Sequence, residues 1–253
     1  MIATTDAKTT PGRLLETLDP VEGSGSRFAF WLSLAVALTI VLRGLLWVTG
    51  FEARELTSAV EQGAARVEQK GVGEVGDDVV RKAIELQRST LPFWTTLATL
   101  ADFALEPFSL VMRALLTATV FSALAALTGR PIRFGRALDA SALIQLYWVA
   151  GLATKVGLTI ALRRTDVETS AALFLAPGRH PAVLVVLLRQ ADLFAFIGWL
   201  ALAWSAWKRG QANLFVAVLV VFSLALGEAT IRAACTLLVG GGMRLSILPD
   251  TPA

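Results

Sequence analysis

Residues 28–50 read FAFWLSLAVALTIVLRGLLWVTG, and this stretch decides the class of fold. An α-helix rises about 1.5 Å per residue, so about 20 apolar residues are needed to cross the hydrocarbon core of a bilayer. The stretch is long enough and contains a single charged residue, Arg43. Trp31 and Trp47 fall near its two ends, where indole rings prefer the membrane interface. The stretch therefore predicts a transmembrane helix.

The composition of the whole chain points in the same direction. Hydrophobic residues make up 55% of the 253 residues and charged residues 17%, and the mean hydropathy is +0.63. Soluble domains are about 45–50% apolar and about 25% charged. Because the apolar residues occur in long blocks, we predict an all-α polytopic integral membrane helical bundle with about five transmembrane helices. The predicted spans are about 28–50, 107–128, 137–162, 182–207 and 212–239.

A charged segment follows the first span. Residues 51–90 hold eight acidic and six basic residues, and glycines around residues 71–76 divide the segment in two. We predict two amphipathic helices that form an extramembrane helical hairpin. The ends of the chain are predicted to be a polar cytoplasmic tail at 1–27 and a short tail at 241–253, on either side of a five-span membrane domain at 28–240.

The apolar block after this hairpin is too long for one straight span. Pro107 divides it, because proline lacks the N–H that an internal helix hydrogen bond requires. We therefore predict an interfacial or re-entrant helix at 92–105, followed by the second span at 107–128.

The distribution of basic residues predicts the orientation. Short loops rich in lysine and arginine remain in the cytoplasm, and two such loops are Arg130–Arg136, with three arginines, and Lys208-Arg209. Both lie on the side of the N-terminus, so we predict a cytoplasmic N-terminus with the hairpin and the C-terminus outside. Arg163, Arg164 and Arg179, in a loop assigned to the outside, oppose this orientation. The first apolar block is predicted to be a retained anchor, since no signal-peptide pattern precedes it.

Few residues are available for metal, redox or nucleic-acid chemistry. The chain has one cysteine, Cys235, and one histidine, His180, which are too few for an internal disulfide or a zinc or haem site. It has no nucleophile triad, P-loop or dinucleotide-binding glycine fingerprint. A net charge of +3, widely dispersed, does not suggest nucleic acid. We therefore expect a protein that is not an enzyme and has no cofactor or metal.

Ionisable residues at membrane depth are the candidate functional residues. A charge near the bilayer centre costs roughly 2.5–3.5 kcal/mol on insertion scales, so such residues pair, face the bundle interior or line water. Each span contributes a cation about two turns from its outer end. The candidate binding residues are Arg43, Arg113, Lys155, Arg189, Asp192, Glu228 and Arg232.

Helical spacing suggests how four of these residues pair. Arg189 and Asp192 are three residues apart in span four, and Glu228 and Arg232 are four apart in span five, so each couple shares a helix face. Asp192 and Glu228 also lie at similar distances from the turn at Arg209, which predicts an antiparallel hairpin with cross-helix pairing. Two interpretations remain open. The charges form a structural network, or they line a polar pocket for an anionic lipid headgroup or small anion.

The layout resembles the bacterial branch of the Yip1 family. The resemblance covers residues 28–240 and rests on five spans, the acidic helix pair after the first, and two local stretches. These are Arg130-Pro131-Ile132-Arg133-Phe134-Gly135, and Asp192-Leu193-Phe194 followed by Trp199. The family usually places an aromatic residue closer behind its Asp-x-Phe.

The resemblance implies a location and a role. It implies the bacterial cytoplasmic (inner) membrane, and a non-enzymatic protein that organises the membrane or partner proteins, with membrane lipids and an unknown protein partner at residues 51–90. Eukaryotic members are linked to vesicle trafficking and small GTPases, whereas the bacterial branch has no established activity. The alternative is a transporter or a lipid- or anion-handling protein that uses the charged cluster, and an intramembrane enzyme using Asp192 or Glu228 is a third hypothesis.

Overall fold

The structure, a computed structural model, describes residues 25–71, 76–130, 134–164, 167, 169–174, 182–190 and 192–244. The predicted tails fall largely outside these ranges, as do His180, Arg179, Arg133 and the glycine-rich centre of 72–75. The described residues are almost entirely helical, and their only β-structure is an isolated antiparallel bridge between Ser170 and Asp192. The helices are α1 (Gly25–Val48), α2 (Phe51–Gly71), α3 (Asp77–Ser89), α4 (Leu91–Leu100), α5 (Glu106–Leu127), α6 (Phe134–Ile144), α7 (Leu146–Leu162), α8 (Ala182–Arg189), α9 (Leu193–Lys208) and α10 (Leu214–Arg244).

Four helical stretches are long and apolar enough to cross a membrane. They are Arg27–Val48, Asp77–Leu127, Phe134–Leu162 and Leu214–Val239. Helix α9 is also apolar but has 16 residues, about 24 Å, which is short of the hydrocarbon core of about 30 Å. The described residues are therefore helical as predicted, with helices long and apolar enough to span a membrane.

Small residues bring the apolar helices together. Helix α1 packs against α5, α6 and α7, while α9 packs against α6, α7 and α10. One core cluster places Phe121 and Leu202, each about 1% exposed, among buried alanines of α9 and α10. Alanine allows close approach of helix backbones where lipid supplies no hydrophobic drive for association. The outer face of α10 remains uncovered, with Leu226, Ile231 and Leu238 at least two-thirds exposed.

Helices α2 and α3 pack against each other. Leu56, Val60 and Val67 are buried along one stripe of α2, and their spacing is that of a single helix face. An exposed ion pair joins the two helices, with Arg88 Nη2 of α3 lying 2.9 Å from Glu61 Oε2 of α2.

Three local interruptions divide the long apolar helices. A π-helical turn at Ala101–Leu105 joins α4 to α5, and Pro107 lies in the first turn of α5. The helix predicted at 92–105 is therefore continuous with the second span. A turn at Gln145 separates α6 from α7. The predicted fourth span at 182–207 is broken between α8 and α9. There Asp192 has extended backbone angles, φ −79° and ψ 142°, and its carboxylate caps α9 instead of continuing the helix.

Candidate functional site

A cavity of about 200 Å³ lies among α1, α5, α7, α8, α9 and α10, and we call it the polar cavity. Six of the seven candidate residues line it, and the seventh, Glu228, pairs with two of those six. The six lining residues are Arg43, Arg113, Lys155, Arg189, Asp192 and Arg232. The structure thus brings together residues that the sequence places on five different predicted spans.

Arg113 is the most deeply placed cation of the cavity, with a side chain 3% exposed. Its guanidinium binds Glu228 at two points, with Nε 2.8 Å from Oε2 and Nη2 on Oε1. Its Nη1 donates to Gln145 Oε1 at 2.9 Å, at the turn between α6 and α7. Its Cζ lies 4.2 Å from the ring centroid of Trp148, within the range of a cation–π contact. Arg113, Glu228 and Gln145 form the floor of the cavity.

A glycine on α9 makes room for the indole ring beneath Arg113. A Cβ atom at Gly198 would lie 2.6 Å from Cζ3 of Trp148, closer than any ordinary contact. The ring of Trp199 meets Trp148 edge-on, with centroids 5.5 Å apart. The position of Arg113 therefore depends on close packing of α9 against α7 as well as on its ion pair.

The pairing of Glu228 corrects the prediction made from helix spacing. Its two basic partners are Arg113 on α5 and Arg232, one turn further along α10, at 2.8 Å. Asp192 does not lie on a helix face shared with Arg189, because Arg189 ends α8 and Asp192 lies at the start of α9. Sequence spacing identified the Glu228–Arg232 couple but could not identify Arg113, which is 115 residues away along the chain.

The hydrogen bonds of Asp192 occupy both of its oxygens. Oδ1 accepts from the backbone N–H groups of Phe194 and Ala195, at 2.7 and 3.4 Å. Oδ2 accepts from the Thr169 hydroxyl at 2.9 Å. This is the arrangement of a helix N-cap, and it stabilises the broken helix while holding the 169–170 segment at the cavity wall. The role supported by these contacts is structural.

Arg43 is paired with two acids, Asp102 and Glu106, that are not among the candidate residues predicted from the sequence. Its Nε lies 2.5 Å from Glu106 Oε2, and its Nη1 lies 3.5 Å from Asp102 Oδ1. Trp47 Nε1 also donates to Asp102, at 2.9 Å. Asp102 and Glu106 are four residues apart, the spacing of one helix face, and that signal could have added them to the candidate set.

Glu52, at the start of α2, lies close to this group and outside the apolar spans. Burial raises the pKa of its carboxyl, and the neighbouring charge of Asp102 raises the pKa further. Arg43 and Lys155 oppose this rise. The folded protein therefore disfavours the ionised form of Glu52.

Lys155 differs from the other cations of the cavity. It lines the cavity from α7, its side chain is exposed, and it makes no ion pair with any carboxylate among the described residues. Arg232 is the next most accessible cation, with a side chain 40% exposed and a hydrogen bond from Nη2 to the Ser109 hydroxyl at 3.0 Å. Within the described part of the chain, Arg232 shares the carboxylate of Glu228 with Arg113. Lys155 and Arg232 form the rim of the cavity, and the rim has fewer carboxylates than cations.

The described part of the chain holds no cluster of three or more His, Cys, Asp or Glu side chains placed to bind a metal ion. Comparison of the chain with family models, with curated proteins and with solved structures finds no match. The resemblance to the Yip1 family therefore stays a prediction, and the geometry of the polar cavity carries the functional argument.

Proposed function

We propose that this chain is a non-enzymatic integral membrane protein that binds an anion in the polar cavity. The observation that carries the proposal is the rim: Lys155 makes no direct ion pair among the described residues, although its charge acts on nearby Glu52, and Arg232 shares its carboxylate with Arg113. Charged residues at membrane depth normally pair or contact a ligand. An anion at the rim would give Lys155 a direct partner and Arg232 a second one.

The broken helices support binding over a purely structural role. The π-turn carries Asp102, the Gln145 turn contacts Arg113, and the α8–α9 break presents Asp192 at the cavity wall. Transporters and other ligand-binding membrane proteins build their sites from interrupted helices of this kind, and π-turns often occur at functional sites. All three interruptions adjoin the same charged cluster.

A role in organising partner proteins, as the Yip1 resemblance implies, has less support. A docking surface for a protein would be expected to expose an apolar patch. Among the described residues of α2 and α3, the large apolar side chains that are exposed are Val79 and Leu86. A partner at residues 51–90 would meet a mainly charged surface.

The proposal includes a topology. We propose five spans, with α8 and α9 together forming the broken fourth, and a location in the bacterial cytoplasmic membrane. The N-terminus and the turn at Lys208-Arg209 would be cytoplasmic, and α2 and α3 would be an extramembrane hairpin on the opposite side. The short basic loops support this orientation.

Cysteine labelling in intact cells tests the topology. With Cys235 replaced by serine, we expect Gln69→Cys to react with a membrane-impermeant thiol reagent before the cells are opened, and Arg209→Cys to react only afterwards. The reverse order of reaction would invert the orientation. Reaction of both cysteines in intact cells would contradict an odd number of spans between them.

Anion binding is tested with the purified full chain in detergent. We expect at least one anion from a panel of phosphate, sulfate, glycerol 3-phosphate and phosphatidylglycerol to raise the thermal unfolding midpoint of the wild type, and Lys155→Gln to abolish most of that rise. Lys82→Gln makes the same chemical change on the exposed face of α3 and serves as the matched control. Equal responses of wild type and Lys155→Gln to every anion would refute the proposal.

A further inference from the structure

The polar cavity is lined by Ser109 and Arg113 of α5 and by Arg232 of α10, and we call the boundary between these two helices the seam. Helix α5 packs against α1 and α6, whereas α10 packs against α2, α8 and α9. The two helices are joined by side chains, through the Arg113–Glu228 pair and the hydrogen bond from Arg232 to Ser109. The side chains of Arg232 and Glu228 are 40% and 25% exposed, so protein covers the polar groups at this seam only in part.

Apolar side chains dominate the exposed surfaces of both helices. On α10, Ile231 is 67% exposed directly beside Arg232, and Leu226 is 68% exposed. On α5, Phe108 and Met112 are 58% and 45% exposed, beside Ser109 and Arg113 respectively. In helices that cross a membrane, such surfaces contact acyl chains. A ligand at the seam therefore meets charge on one side and lipid on the other.

The two rim cations lie at similar distances from helix ends. Lys155 lies about two turns, or about 10 Å, before the helix end at Leu162, and Arg232 lies equally far before the end of the apolar stretch at Val239. Long basic side chains extend toward the nearer interface and bring their charge closer to the headgroup level. The rim is therefore within reach of a lipid phosphate on that side of the membrane.

Size and charge restrict the class of ligand. A cavity of about 200 Å³ is smaller than the roughly 300–1,000 Å³ of pockets that enclose drug-sized molecules, so only a small group enters. A phosphodiester has two free oxygens and one negative charge, which suits two cations at the rim. A zwitterionic headgroup would bring an ammonium group close to Lys155 and Arg232, and like charges repel.

From these observations we infer that the anion is the phosphate group of an anionic lipid, whose headgroup enters the polar cavity through the seam between α5 and α10 while its acyl chains stay outside along α10. The inference rests on the proposed anion site and adds the class of ligand and its route. Lys155 and Arg232 hold the phosphate oxygens. At the floor, the contacts of Arg113 with Glu228 and Gln145 remain in place.

The test uses the purified full chain in mixed micelles with phosphatidylglycerol or phosphatidylcholine, and with inorganic phosphate or glycerol 3-phosphate as soluble probes. Native mass spectrometry counts retained lipid, and thermal unfolding gives apparent affinity. We expect phosphatidylglycerol to be retained and to stabilise the protein, and the other three probes to have little effect. Loss of a charge-assisted contact in Lys155→Gln should weaken phosphatidylglycerol binding about tenfold to a hundredfold, with Lys82→Gln unchanged.

The outcomes separate the two proposals. If inorganic phosphate or glycerol 3-phosphate stabilises the wild type as well as phosphatidylglycerol, and Lys155→Gln removes the effect, the ligand is a soluble anion and the lipid inference is wrong while the anion site stands. Equal binding of phosphatidylglycerol and phosphatidylcholine would also overturn the lipid inference. If no probe distinguishes wild type from Lys155→Gln, both fail. Lys155→Gln should fold, because Lys155 makes no ion pair among the described residues, and its unfolding midpoint without ligand checks this.

Discussion

Replacing Glu228 by alanine tests the floor of the polar cavity most directly. The change leaves the guanidinium of Arg113, whose side chain is 3% exposed, without its carboxylate, and Gln145 and the Trp148 ring cannot neutralise a charge. Breaking a buried ion pair from one side costs about 3–5 kcal/mol. Because the side chain of Glu228 is itself 25% exposed, we expect a value near the lower limit, about 3 kcal/mol. That is a change of more than a hundredfold in the folding equilibrium.

A double variant separates the ion pair from general packing. In Glu228→Ala with Arg113→Met, no buried charge remains at the floor, so we expect the double variant to recover at least half of the lost stability. Ser223→Ala, an exposed change on the same helix, is the control and should lie within about 0.5 kcal/mol of wild type. Unfolding in detergent and the yield of monodisperse protein from membranes measure both effects. A harmless Glu228→Ala, or a double variant less stable than Glu228→Ala alone, would refute the reasoning.

Two further predictions concern packing and pH. Gly198→Ala should destabilise the protein by about 1–3 kcal/mol in thermal or denaturant unfolding, because its Cβ would overlap the Trp148 ring, whereas Gly157→Ala, with open space around its Cβ, should be neutral or slightly stabilising. The pKa of Glu52 is higher in the folded protein than in the unfolded chain. The wild type therefore loses stability as the pH rises from the unfolded-state pKa through the folded-state pKa. Glu52→Gln should therefore match wild type at low pH and become more stable than it toward neutral pH, unlike the exposed control Glu55→Gln; a constant difference across pH 4–8 would contradict this.

The class of fold is predictable from the sequence because lipid imposes a long apolar block on each spanning helix. The amphipathic stripe of α2, with Leu56 and Val60 on one face, is predictable for a similar reason, since its period marks a face that must be covered. The break at Asp192 is harder to predict from the sequence. Asp192 lies inside a run of apolar residues, and only its ability to cap a helix distinguishes a broken span from a continuous one.

Membership of the charged cluster was easier to predict than its pairing. Depth along each helix and the cost of an unpaired charge in lipid were enough to select residues that line one cavity. Pairing depends on which helices are neighbours. When a helix is apolar on all sides, its sequence does not indicate which face it turns toward its neighbours. The sequence therefore does not reveal that α5 presents Arg113 to Glu228 on α10.

The two interpretations of the charged cluster, a structural network and a ligand pocket, apply to different residues of the same site. At the floor, Arg113 is buried and has a bidentate carboxylate, an amide and an aromatic ring as partners, so its neutralisation should change stability. At the rim, Lys155 is exposed and makes no ion pair among the described residues, so its neutralisation should change binding and leave folding almost unaffected. Arg232 belongs to both, because it donates to Glu228 while 40% of its side chain remains exposed. Its replacement by glutamine should therefore lower both stability and ligand affinity, and an Arg232→Gln variant that lowers only one of them would assign the residue to the floor or to the rim alone.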